Sequence, residues 1–153
     1  EYWRQEPQKG KTQLEYNRRY YQEILDVVKA YKDYSILGHL DVIKRYDLNG
    51  EIELEKIKDL IEQIFEVVIA DGKGIELNTS SRAYHLKSLM PSREILELYH
   101  DMGGKIITIG SDAHNADRVG DRVMESQKIL KEIGFNGIYT FDQMKPKFHE
   151  FKF

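Results

Sequence analysis

The sequence contains no cysteine, which excludes disulfides, thiolate metal sites and a cysteine nucleophile, and fits a reducing cytoplasm. Any metal must then be held by histidine and carboxylate side chains. Long apolar runs are also missing, so no segment reads as a bilayer span. With 41% hydrophobic and 32% charged residues, the composition is that of an ordinary soluble domain. Nor is there an excess of positive charge. The formal net charge is -3, and the Lys and Arg residues are interspersed with carboxylates, leaving no broad electrostatic footprint for nucleic acid. Trp3, Tyr16, Tyr20 and Tyr21 therefore read as packing aromatics rather than a platform for bases. No G-x-x-x-x-G-K-[ST] loop, G-x-G-x-x-G fingerprint or G-x-S-x-G elbow occurs, which removes the usual nucleotide-binding and serine-hydrolase signatures. Low-complexity linkers and sequence-level repeats are absent as well. The opening residues Glu1-Tyr2-Trp3-Arg4 have neither an initiator Met nor a signal-peptide layout, so the sequence reads as beginning inside a longer protein.

What is present is an alternation of helical and strand patterns over 153 residues, a length suited to one domain or a large piece of one. Thr12-Gln13-Leu14-Glu15 has capping-box spacing, and apolar residues recurring from Leu14 to Tyr31 predict a helix over about 12–32. Tyr34 to Leu37 reads as a short buried strand ended by Gly38. A stripe from Leu54 to Val68, between Asn49-Gly50 and Asp71-Gly72, predicts the second helix. Gly74 to Asn78 reads as a strand, and a polar loop through Ser92 leads into a helix after Pro91 that stops at Gly103-Gly104. Lys105 to Ile109 is the most strand-like run. A helix near 117–133 and a β-rich segment from Gly137 to Phe141 follow. Alternation of this kind argues for parallel β/α units in one continuous domain.

In β/α barrels the loops after the strands converge on one mouth, and reactive groups gather there. Three predicted strand ends here carry such groups: Gly38-His39-Leu40-Asp41, Asn78-Thr79-Ser80-Ser81-Arg82 and Gly110-Ser111-Asp112-Ala113-His114. Asp112 and His114 are two apart, so an extended segment projects both to one side, where a carboxylate and an imidazole suit Zn²⁺, Mn²⁺ or Fe²⁺. The alternative is that Asp112 caps a turn and His114 is a surface residue. His39 reads either as a ligand or as a hydrogen-bonded histidine at a core edge. Asp41 either orients an imidazole from behind or begins a turn. Arg45 and Arg82, downstream of two strand ends, are either solvated or positioned to grip an anion through paired hydrogen bonds. Glu76 and Asn78 share one strand face and are placed to support the site. His85 reads as a loop residue, and His100 as a cation at a helix C-terminus. Metal-assisted hydrolysis is the candidate chemistry that remains.

The segments Ile36 to Arg45, Glu76 to Ser80 and Ile107 to His114 resemble, in order, late motifs of histidinol phosphatases of the polymerase-and-histidinol-phosphatase (PHP) superfamily. The resemblance runs over roughly residues 10–150. It implies an α/β fold: the C-terminal portion of a distorted parallel, TIM-like β/α barrel, with residues 1–153 as part of a single barrel domain. It also implies a trinuclear site for divalent metal ions at the barrel mouth, with His39, Asp112 and His114 at ligand positions. Asp112 and His114 would then take part in catalysis, and Arg45 and Arg82 would contact substrate phosphate. Family members hydrolyse L-histidinol phosphate to L-histidinol and phosphate in histidine biosynthesis, which implies a small phosphorylated substrate and a cytoplasmic setting without nucleic acid or membrane. The family's N-terminal H-x-H motif and further early His and Glu ligands have no counterpart here. Self-association, or pairing with an N-terminal half, is the corresponding expectation for partners.

Overall fold

The structure, a computed structural model, describes residues 7–153; Trp3 lies outside them. Helix α1 (Gln13–Ala30) begins where the sequence signals it. The Thr12 hydroxyl accepts from the Glu15 N–H, while the Glu15 carboxylate accepts from the Thr12 N–H at 2.7 Å. This satisfies two of the amide donors that a helix start otherwise leaves unpaired. Its buried face carries Tyr16, Tyr21, Leu25 and Val28, so these tyrosines are core residues, as expected.

Three strands form a parallel sheet in the order β1 (Ile36–Leu37), β2 (Gly74–Asn78), β3 (Ile107–Gly110). Helices α2 (Lys58–Ala70) and α3 (Arg93–Asp101) make the intervening crossovers. Helix α2 supplies Ile61, Ile64, Phe65 and Val68, none of them measurably exposed, to a core shared with Ile75, Leu77, Ile107 and Tyr99. Burial of this kind is worth about 1.5–3 kcal/mol per large apolar side chain. Helices α1 and α2 are further tied by a two-pronged contact in which the Arg18 guanidinium donates to both Asp59 carboxylate oxygens at 2.7 Å. That contact holds the Asp59 carboxyl below its usual range.

Several boundaries differ from the sequence pattern for identifiable reasons. The second helical stripe opens with a separate 3₁₀ turn at Leu54–Lys56 before α2 starts at Lys58. The segment expected as a helix over 117–133 is split into a 3₁₀ turn at Ala116–Arg118 and α4 (Val123–Ile133). Positive φ angles at Gly120 and Arg122 separate the two, and neither angle fits a right-handed helix. The last β segment departs most. Strand β4 (Gly137–Asp142) pairs antiparallel with β5 (Lys145–Glu150), so the chain ends in a hairpin rather than another parallel unit. Its two turn residues, Gln143 and Met144, both have positive φ, the twist that two-residue hairpins favour.

Candidate functional site

Because β1, β2 and β3 run parallel and side by side, the segments that follow them emerge at one edge of the sheet. Strand β2 is buried along its length except at Glu76, which is half-buried. The Glu76 carboxylate occupies space left by two glycines. A Cβ at Gly110 would overlap it, and one at Gly38 would touch it. Its Oε2 accepts from the His39 backbone N–H at 3.0 Å and from Asn78 Nδ2 at 3.2 Å.

A chain of polar contacts then crosses to the third strand end. Asn78 Oδ1 accepts from the Ser80 N–H at 3.0 Å and from its hydroxyl at 2.6 Å. Ser80 Oγ lies 3.4 Å from Asp112 Oδ2, and Asp112 Oδ1 lies 3.4 Å from His114 Nε2. His39 and Asp112 both adopt positive φ, 27° and 48°. L side chains seldom take this conformation, and it persists where surrounding structure enforces it. At His39 the enforcing contact is the hydrogen bond to Glu76.

Arg45 ends the 3₁₀ turn Val42–Arg45, and Arg82 lies in the 3₁₀ turn Thr79–Tyr84. The Arg45 guanidinium sits over the Tyr84 ring, with Cζ 2.9 Å from the centroid, and 5.5 Å from that of Tyr46. Arg82 is exposed. No carboxylate pairs with either guanidinium among the described residues.

Of its two readings, Asp41 takes the second, at the start of the turn Val42–Arg45. It is 2% exposed, accepts from Lys44 Nζ at 2.7 Å and from the Ser92 N–H at 2.9 Å, and contacts no imidazole. Its other oxygen, Oδ1, has no partner among the described residues. Burial raises the Asp41 pKa, and the Lys44 ammonium opposes this only in part. Lys44 itself donates to Glu51, Ser88 and the Leu89 carbonyl as well. Asp41 therefore anchors the turn that carries Arg45, through the ammonium three residues on.

The structure thus links His39, Glu76, Asn78 and Asp112 through hydrogen bonds and near contacts, and sets Asp112 against His114. It does not gather three metal-ligating side chains into one group among the described residues. His85 caps the 3₁₀ turn in a left-handed conformation and is exposed. His100 packs edge-on against Phe135, and His149 contacts Thr140 on the hairpin. Sequence reasoning missed Ser80, Lys44 and Tyr84. Only Ser80 left a local signal, an Asn two residues upstream able to bond its own backbone.

The arrangement defines a parallel β/α protein with a carboxylate–imidazole pair after β3 and an arginine in each of the turns that follow β1 and β2. Comparison with known proteins makes this specific. The PHP domain model matches residues 1–80, and the chain belongs to the PHP domain family. A probable histidinol-phosphatase of Thermotoga maritima is 35% identical over 118 residues, 77% of this chain and 48% of that protein. The histidinol-phosphatase of Lactococcus lactis is 30% identical over 138 residues, 88% of this chain and 51% of that protein. The crystal structure of histidinol phosphate phosphatase from Lactococcus lactis, complexed with zinc, L-histidinol and phosphate, superposes with a TM-score of 0.79 at 28% identity. That match covers 93% of this chain and 54% of the crystallised one. A putative histidinol phosphatase from Listeria monocytogenes, 16% identical, shares the fold with a TM-score of 0.64 over 76% of this chain and 45% of that one. The chain spans about half the length of the curated relatives it matches.

Proposed function

We propose that the protein is a metal-dependent phosphomonoester hydrolase that converts L-histidinol phosphate to L-histidinol and phosphate, and that residues 1–153 form the C-terminal part of its barrel. The observation that supports this reading is the Asp112–His114 pair after β3, with Arg45 and Arg82 in the turns that follow β1 and β2 and without a carboxylate partner among the described residues. Likeness to a phosphatase crystallised with zinc, L-histidinol and phosphate supports it.

A carboxylate and an imidazole 3.4 Å apart are donors suited to Zn²⁺, Mn²⁺ or Fe²⁺. Asp112 and His114, with His39 across the mouth, would supply this chain's share of a trinuclear set, and the remaining ligands would come from a partner segment. When bound, such ions supply hydroxide near neutral pH and neutralise phosphoryl charge. Arg45 and Arg82 would hold the nonbridging oxygens, fixing the ester in line and offsetting charge that grows in the transition state. As the P–O ester bond breaks and the bond from the attacking oxygen forms, the leaving alkoxide needs a proton. Asp112, or His114 beside it, would deliver that proton. Glu76 and Asn78 would keep His39 and Asp112 in place from behind. A small, charged biosynthetic substrate fits a cytoplasmic setting. Among the described residues no helix is long and apolar enough to cross a membrane.

The test measures bound metal and hydrolysis of a panel of phosphate esters, on the chain alone and mixed with the N-terminal half of a relative. Preferential release of phosphate from histidinol phosphate after mixing is the expected result. Preference for a different ester would assign another phosphoesterase activity. Bound metal without turnover on any ester would make the chain a silent interaction module.

A further inference from the structure

Tyr84 has no part in the activity described so far, yet its ring is the principal contact of Arg45. We propose that Tyr84 is a positioning residue that holds the Arg45 guanidinium flat and ready for an anionic ligand. This rests on the reading of Arg45 as a phosphate contact. The guanidinium lies over the Tyr84 ring, with the Tyr46 ring farther away. Among the described residues no carboxylate competes for its N–H groups. A stacked guanidinium keeps its donor edge open, because the ring occupies the face and the N–H bonds point outward in the plane. An ion pair would instead use the same edge that a phosphate needs. The aromatic contact thus fixes direction without consuming hydrogen-bonding capacity.

Both partners are anchored independently of each other. Arg45 follows Lys44, whose buried ammonium is bound by Asp41, Glu51, Ser88 and the Leu89 carbonyl. Tyr84 ends the 3₁₀ turn that opens at Thr79, where the Thr79 hydroxyl donates to the Asp121 carbonyl at 2.7 Å. The same turn carries Arg82, so the Arg45–Tyr84 stack couples the two anion-binding loops. Loss of the ring would free Arg45 to sample rotamers, an ordering cost that binding must then meet.

The test titrates the protein and its Y84A, Y84F and R45A variants with inorganic phosphate by calorimetry, with circular dichroism to confirm folding. Y84A should weaken binding roughly three-fold, the scale of an exposed cation–π contact, and Y84F should bind within about two-fold of the parent because the ring face is retained. The R45A/Y84A double variant should bind no more weakly than R45A, since Tyr84 acts through Arg45. Phosphate binding that is intact in Y84A, or additive losses in the double variant, would overturn the role of Tyr84 while leaving the phosphate reading in place. Failure of the parent protein to bind phosphate would overturn both.

Discussion

Glu76 is a carboxylate placed where a central parallel strand ordinarily carries an apolar side chain, since such strands are covered on both faces. Its neighbours on β2, Ile75 and Leu77, are fully buried, whereas Glu76 points into the gap between Gly38 and Gly110. The position was legible from side-chain alternation with Asn78, but the glycines' part was not, because their proximity arises only when three strands align. A methyl group at Gly110 must displace the carboxylate and break its hold on the strained backbone of His39. Gly110→Ala should therefore cost about 1–3 kcal/mol in urea denaturation, the scale of an overpacked site. Glu76→Ala should restore much of that stability in the double variant. Equal stability of Gly110→Ala and the parent would show that the carboxylate has room elsewhere. Asp41 illustrates the opposite limit of sequence reading. Its neighbours, Lys44 and the amide of Ser92, include one that is 51 positions away in the chain, and no local pattern announces such a partner.

At the scale of elements, legibility followed the range of the interactions that define each one. Helix α1 was readable to within a residue or two because its capping box is contained in four consecutive positions. Strand β2 was readable because Ile75 and Leu77 alternate with Glu76 in a short segment bounded by Gly74 and Asn78. The terminal hairpin was missed because Gln143-Met144 lacks the Asn-Gly or Asp-Gly composition that usually marks two-residue turns. Strand β5 is exposed at every position and so shows no apolar alternation. The turn Val42–Arg45 was also unreadable as a fixed element, since its anchor is the buried ammonium of Lys44 reaching the loop at Ser88 and Leu89. Replacing it by Met leaves the Asp41 carboxyl buried without a cation, and should cost about 3–5 kcal/mol at neutral pH. The pH dependence has a definite sign. Burial raises the Asp41 pKa above 3.8 in the folded protein, so the folded state binds this proton more tightly than the unfolded chain does. The resulting contribution to stability is greatest below 3.8 and is lost as pH rises through the folded value. Lys44→Met removes the opposing cation and raises that value further. Its deficit relative to the parent should therefore shrink as pH falls toward 4, as read from melting temperatures across a pH series. A deficit independent of pH would mean that packing of the lysine stem, not its charge, anchors the turn.

At the scale of the whole molecule, the order β1-β2-β3 leaves β1 at the sheet margin with one side unpaired among the described residues. Such an edge presents unpaired N–H and C=O groups to any strand that can align with it. Only two residues of β1, Ile36 and Leu37, are in register with β2, yet β1 carries the His39 loop. If residues 1–153 are part of a larger barrel, a strand of its other half would cover this edge and add to the hold that Glu76 already has on the His39 backbone. Mixing the chain with the N-terminal half of a relative should then slow hydrogen exchange at the β1 amides that face away from β2 and produce one monodisperse complex in sedimentation. Alone, the chain should associate with itself as concentration rises, because the same edge can pair with a second copy. A chain that stays monomeric at all concentrations, with β1 exchange unchanged by the added half, would mean that the sheet is complete as it stands. The metal ligands would then have to be found within this chain, although no group of three is assembled among the described residues.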